Sequence, residues 1–307
     1  MNTKQYLHSL EQLNLEIIEL MESKEYISGK KLSNLRQAFP NHLLRFFINH
    51  YKNKNIKNKV KKISAPISKR DVFYADPVNK GLSGVVYTCI TKGYDKPKEP
   101  LYADPNLDYV IFSDKTNDSD SVWNYRDISK MKIEEGNNAV NRYYKLHPFE
   151  FFENYDFSIY IDGNVQLISD TSALLAVAKN SKTGIAMHRH ATMDCLYNNM
   201  LWCLYNHRGD SKALKRQVDK YRTENFPPHY GLLEATIIVV DLKNEIAKKI
   251  MDAWWNEFVS TKSGRDQISL PYVLWKAGYT VDDIGCLGND EYHNPKFRIY
   301  GHEGKLF

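Results

Sequence analysis

An apolar run, Phe157-Ser158-Ile159-Tyr160-Ile161, ends abruptly on Asp162-Gly163-Asn164. A carboxylate, a glycine and an amide at the carboxyl end of a strand suit the handling of a diphosphate through a divalent cation, as when a nucleoside diphosphate leaves a sugar. Mg²⁺ and Mn²⁺ prefer oxygen ligands and neutralise charge that develops on the departing group. Asp162 can supply one carboxylate, and Asn164 a carbonyl oxygen or a water-mediated contact. Gly163 lets the backbone turn sharply and approach a ligand. The same tripeptide is common in ordinary strand-to-turn loops, and on these residues alone both readings stay open.

Further groups could join such a site. Arg265-Asp266-Gln267 stands where a helix starts, offering a guanidinium, a carboxylate and an amide to sugar hydroxyls. Asp266 is a candidate for binding the transferred sugar or for deprotonating an acceptor hydroxyl. Equally, it is a carboxylate satisfying free N–H groups at a helix N-terminus. Glu234, between Gly231 and the run Ala235–Val240, could face the reacting anomeric centre or accept a supporting hydrogen bond. Arg142 and Lys145 precede the DGN strand and read either as phosphate or sugar contacts or as surface charge. His188 and His190 flank Arg189 with no clustered ligand nearby, which suits acceptor contacts or a plain surface better than a zinc site.

These groups need a scaffold. Val85–Ile90, Asp108–Ser113, Phe157–Ile161, Val165–Ile168, Gly184–Met187 and Ala235–Val240 are short apolar, β-branched runs that predict strands. Between them, helical spacing covers Asn137–Glu153, Thr171–Ala178, most of Met193–Tyr221, Asn244–Ser260 and Asp266–Ala277, with short strands towards the C-terminus. Strands alternating with helices predict a largely parallel, doubly covered sheet with its ligand site beyond the strands' carboxyl ends.

Charge divides the chain. Residues 1–70 hold 14 Lys and Arg against 5 Asp and Glu, and the rest hold 28 against 32. Helical spacing over residues 3–25 and two shorter segments before Pro66 predict a basic helical module. It could rest on anionic lipid through residues 26–70, or pack on the catalytic domain or on a second copy in a homodimer. A nucleic-acid partner is disfavoured, because the module has no recognisable reader fold. Cys89, Cys195, Cys203 and Cys286 show no ligand spacing and predict reduced thiols. No apolar leader and no run of about 18 apolar residues occurs, so the expected location is cytoplasmic, peripheral to the inner face of a membrane.

A set of ordered motifs sharpens the reading. Tyr143-Tyr144-Lys145-Leu146-His147-Pro148, Tyr155 through Asn164, Tyr230-Gly231-Leu232-Leu233-Glu234, Trp254-Trp255-Asn256-Glu257 and Arg265-Asp266-Gln267-Ile268-Ser269 occur in one order. Together they resemble the TOD/MUCI-type glycosyltransferases over roughly Val85 to Trp275. The resemblance implies a GT-A-like, Rossmann-related mixed sheet flanked by helices over residues 71–307, with DGN standing in place of a DxD. It implies transfer from a nucleotide sugar, a UDP-sugar foremost, to a glycan or lipid-linked acceptor in surface polysaccharide assembly, with Mn²⁺ or Mg²⁺ bound at Asp162 and Asn164. Met193 and Asn198 depart from the Arg and Glu of the family pattern, which points to a different donor or acceptor. In nucleotide-sugar folds the end of the first strand holds base and ribose, making Thr88, Ile90 and Tyr94 candidates, with Asp114 after the second strand. The segment Tyr300-Gly301-His302-Glu303-Gly304-Lys305 resembles the metal-and-diphosphate segment of glycogenin-like transferases, with His302 as a metal ligand and Lys305 on phosphate. The alternative is a catalytically inert GT-A-like module that binds a glycan or a partner.

Overall fold

The computed structural model describes residues 5, 11, 13, 81–115, 120–133 and 136–302. Of the expected N-terminal module, Gln5, Glu11 and Leu13 are among them, all helical; residues 26–70 and Lys305 lie outside the described residues.

Nine strands are described: β1 (Gly84–Ile90), β2 (Leu107–Ser113), β3 (Asn124–Asp127), β4 (Phe157–Ile161), β5 (Val165–Leu167), β6 (Ile185–Arg189), β7 (Leu233–Asp241), β8 (Gly285–Cys286) and β9 (Phe297–Ile299). The described helices are α1 (Asn137–Leu146), α2 (Pro148–Phe151), α3 (Ser172–Lys179), α4 (Leu196–Tyr205), α5 (Ser211–Thr223), α6 (Glu245–Thr261) and α7 (Asp266–Lys276). Seven strands form one sheet in the order β3-β2-β1-β4-β7-β6-β8, and β5 pairs with β9 in a small separate ribbon. Strands β3, β2, β1 and β4 run parallel, whereas β7 is antiparallel to both β4 and β6. The result is the mixed, mostly parallel α/β sheet expected for a GT-A-like fold.

The continuous apolar runs arise because both faces of the sheet are covered. Along β1, Val85, Tyr87 and Cys89 enter one cluster with Trp254 of α6 and Leu270 of α7, while Val86 and Ile90 enter another with Leu174 and Leu175 of α3. The helix α4–α5 pair closes over a third cluster that includes Ile268 and Tyr272 of α7. The expected helix Asn137–Glu153 is divided at His147, because the residue before Pro148 is pushed out of the helical region and the proline opens a new helix. Cys89, Cys195 and Cys203 are buried thiols and Cys286 an exposed one, all free, as expected. No helix among the described residues is long and apolar enough to cross a membrane.

One contact ties the N-terminal segment to this fold. The Glu11 carboxylate meets Lys296 Nζ at 2.7 Å and accepts from the Ser169 hydroxyl at 2.7 Å, and both charged groups are buried.

Candidate active site

The chain passes from β1 outward to β2 and β3, then returns to place β4 on the opposite side of β1. Connections therefore diverge between β1 and β4, and in open α/β sheets the crevice beyond the carboxyl ends at such a point is where ligands bind. A cavity of about 510 Å³ lies there. It is walled by residues that follow β1 (Thr91, Lys92, Tyr94, Asp95) and β4 (Asp162, Gly163), joined by Arg142, Arg208, Arg265 and His302. Four cations against two carboxylates give it a positively charged lining, which suits an anion.

Strand β4 delivers Asp162 to the floor. Its backbone N–H donates to Thr236 O at 2.9 Å, and its carboxylate accepts from the Tyr160 hydroxyl at 2.8 Å. Gly163 is required by packing: a Cβ there would stand 2.8 Å from the Ile90 side chain and 3.2 Å from Asp95 Cβ. The glycine thus lets the β1 and β4 ends meet. Asn164 turns its amide away, donating to Tyr300 O at 2.7 Å, while its Oδ1 is buried without a protein partner.

Arg142 and Lys145 are three residues apart and so share one face of α1. Lys145 Nζ lies 2.9 Å from Asp266 Oδ2 and 3.9 Å from Asp162 Oδ1, and Arg142 lies 3.3 Å from Asp266 Oδ1. Burial would raise the Asp266 carboxyl, but Arg142 and Lys145 overcome it and hold the group well below the usual carboxylate range. Asp266 is therefore an ionised anchor behind the cavity wall that fixes two cations, Arg142 on the wall and Lys145 beside Asp162.

Beyond the end of β4, Glu234 at the start of β7 and Glu291 of the turn 291–293 form a second group of carboxyls. Glu234 Oε2 accepts from Gln267 Nε2 at 2.8 Å, and Oε1 lies 3.5 Å from His190 Nε2. The backbone N–H groups of Thr192 and Met193 donate to His190 Nδ1 at 3.2 Å, which leaves the ring proton on Nε2, facing Glu234. Burial pushes Glu234 up to about 7, and burial together with the Glu234 charge pushes Glu291 up to about 8. Two buried carboxyls so placed hold protons as a pair.

The structure gathers Ile90, Tyr94, Arg142, Asp162, Gly163, Arg265 and His302 around the cavity. Other sequence-predicted residues stand outside its lining. Asp114 accepts from the Lys92 backbone N–H at 2.9 Å and so shapes the loop after β1. Gln267 holds Glu234 and also donates to Leu233 O at 3.0 Å. Thr88 is enclosed within the sheet. His188 is fully buried, its Nε2 accepting from Asn294 at 2.9 Å, and burial lowers it to about 4. It reaches no acceptor surface. Asp95, Arg208, Asn138, Asn141 and Glu291 are absent from the sequence-based set; only Asp95 carries a signal, its place in the turn that ends the β1 segment.

His302 Nδ1 sits 3.1 Å from both Asp95 oxygens, with its ring 5.0 Å from that of Tyr94. Among the described residues, no three His, Cys, Asp or Glu side chains gather around a common point for a metal ion. Asp162 lines the cavity, His302 Nδ1 faces Asp95, and the buried Asn164 Oδ1 is left without a protein partner.

Comparison with known proteins gives the geometry a family. Similar solved structures include the apo WbbM bifunctional glycosyltransferase, at 14% identity, covering 75% of this chain and 48% of that one, TM-score 0.45. The chain thus spans about half the length of that protein. Others are mouse xyloside xylosyltransferase 1, apo form, at 10% identity over 65% of this chain and 83% of that one, TM-score 0.38, and the galactosyltransferase LgtC in complex with donor and acceptor sugar analogues, at 10% over 72% and 88%, TM-score 0.38. No curated protein sequence matches. The model of the TOD1/MUCI70, glycosyltransferase-like domain matches residues 50–285, and the chain belongs to that family.

Proposed function

We propose that the chain transfers a glycosyl group from a nucleoside diphosphate sugar, a UDP-sugar foremost, to a glycan or lipid-linked acceptor in surface polysaccharide assembly. The observation that carries this reading is the cationic cavity beyond the ends of β1 and β4, with Asp162 on its floor. Its volume falls in the range of small-molecule sites. Arg142, Arg208 and Arg265 would face the diphosphate, where fixed positive charge favours the departing group over the bound ester. Arg142 is held ready by Asp266, so little reorganisation accompanies the reaction. Asp162 and His302 would hold a Mn²⁺ or Mg²⁺ ion, which supplies charge neutralisation at the leaving diphosphate. Glu234, oriented by Gln267 and His190 and titrating near neutrality, would accept the proton of the acceptor hydroxyl.

A second reading, an inert module that binds a glycan, is favoured by one observation: Asp266, the carboxylate best placed by sequence to act as a base, is spent on two cations. Donor hydrolysis separates the two. Release of nucleoside diphosphate from a panel of nucleotide sugars, stimulated by Mn²⁺ and lost in Arg142→Ala and Asp162→Ala, supports transfer. A folded wild-type chain that releases none from any donor, with or without acceptor glycans, rejects it.

A further inference from the structure

Helix α4 buries Leu196, Met200 and Cys203 and turns Asn198, Leu201, Trp202 and Tyr205 outward. Leu201, Trp202 and Tyr205 are 59%, 42% and 84% exposed. An apolar residue alone on a surface needs no explanation, but three on one stripe of one helix do. The neighbouring α5 turns Lys212, Lys215 and Arg216 to solvent while Leu214 and Val218 join the same buried cluster that α4 covers. Other cations of α5 are engaged, Lys220 with Glu257 at 2.9 Å and Arg222 with Asp219 at 3.5 Å. Lys212, Lys215 and Arg216 have no ion-pair partner among the described residues. The connection between the two helices carries Arg208 and Gly209, which line the cationic cavity. The patch therefore sits at the rim of the candidate active site.

We infer that this helix pair is a membrane-contact surface, docking the mouth of the cavity on an anionic lipid bilayer. Trp and Tyr prefer the headgroup level of a bilayer, where the ring is buried and the polar tip stays wet. Leu201 adds apolar surface that reaches slightly deeper. The three unpaired cations match anionic headgroups in charge, each strengthening partitioning about fivefold near such a surface. A second copy or another protein fits less well: two rings and one leucine bury about 600 Å² at most, short of the roughly 800 Å² a side of a stable protein interface. The inference is independent of glycosyl transfer, since lipid binding needs neither donor nor acceptor.

The test uses the full chain and vesicles of phosphatidylcholine with or without phosphatidylglycerol. Binding to the anionic vesicles should exceed binding to the neutral ones. Lys212→Gln/Lys215→Gln/Arg216→Gln should weaken it on the order of a hundredfold at low salt, following the per-residue factor. Brominated phosphatidylcholine in the anionic vesicles should quench wild-type fluorescence, and the quenched component should disappear in Trp202→Phe, which keeps the helix intact. Equal quenching in wild type and Trp202→Phe would show attachment through a different surface, such as residues 26–70, and would overturn the inference. So would undiminished vesicle binding by the charge variant, or a wild-type dimer in light scattering that Trp202→Ala/Tyr205→Ala converts to a monomer.

Discussion

Replacing Asp266 by Asn keeps the shape of the side chain and removes its charge. The loss falls mainly on Lys145, whose side chain is only 1% exposed and whose other carboxylate, Asp162, lies 3.9 Å away. Arg142 is 20% exposed and can turn partly to water. Breaking a buried pair by removing one partner costs about 3–5 kcal/mol, because an unpaired charge remains. The remaining attraction of Lys145 to Asp162 sets the expectation for Asp266→Asn near the lower figure. Urea unfolding reads it as a drop in midpoint at unchanged slope. Lys145→Met/Asp266→Leu, which removes both buried charges, should recover most of the loss, since buried pairs replaced by apolar groups are often neutral. The pH dependence has a definite sign. Burial opposes but Arg142 and Lys145 hold the folded-state Asp266 well below the usual range, so its contribution is present above the unfolded value of about 3.9 and fades as pH falls below it. The gap between wild type and Asp266→Asn should therefore narrow in acid. A loss under about 1 kcal/mol, the scale of an exposed ion pair, would refute this account of the triad.

Asp162→Ala should leave the fold intact, since the apolar residues of β4 remain, while lowering donor turnover by about a hundredfold or more, as removal of an electrostatic stabiliser does; steady-state kinetics and circular dichroism check the two halves. Activity that depends on ionised Glu234 should rise through pH about 7, and Asp290→Asn, by removing an acidic charge that raises Glu234, should move that rise to lower pH; an unmoved profile would mean that Asp290 does not act on it. Stability carries the opposite trend, because a folded value raised above the unfolded one of about 4.3 costs stability as pH climbs between them, so Glu234→Gln should gain on wild type above neutrality in thermal melts. Glu11→Gln should destabilise the chain by about 3 kcal/mol in urea unfolding by leaving Lys296 buried and unpaired; a change within error would mean that the N-terminal segment does not dock there.

The sheet was legible where both its faces are covered, because such strands read as unbroken apolar runs: Val85–Ile90 and Phe157–Ile161 appear in the structure with at most one residue added. β3 was not, since four residues, Asn-Tyr-Arg-Asp, at an exposed edge carry no period. Nor does a local pattern say that β7 runs antiparallel, a direction set by its long-range pairing with β4 and β6. The site shows the same division. The strand-to-turn geometry that presents Asp162 and Gly163 is local, and the cavity forms around them. Whether a carboxylate is free or spent is decided by distant packing: Asp266 meets Lys145 across 121 positions, and the Asn164 amide meets Tyr300 across 136. His188 and His190 look equivalent two residues apart, yet a register shift between Met187 and His188 and the end of β6 bury the first and leave the second against Glu234. Glu291 offers no sequence signal at all. Its neighbours Thr236 and Glu234, on β7, are brought to it only by the fold.

The central claim is that the cavity between β1 and β4 is a nucleoside diphosphate site. Thermal melting of the full chain with each nucleoside diphosphate, with and without Mn²⁺, tests it directly, because a ligand bound only by the folded state raises the melting temperature. A Mn²⁺-dependent rise with one diphosphate, absent in Asp162→Ala and Arg142→Ala, is the predicted result and would name the base. No shift with any of them, from a chain that melts cooperatively, would contradict it.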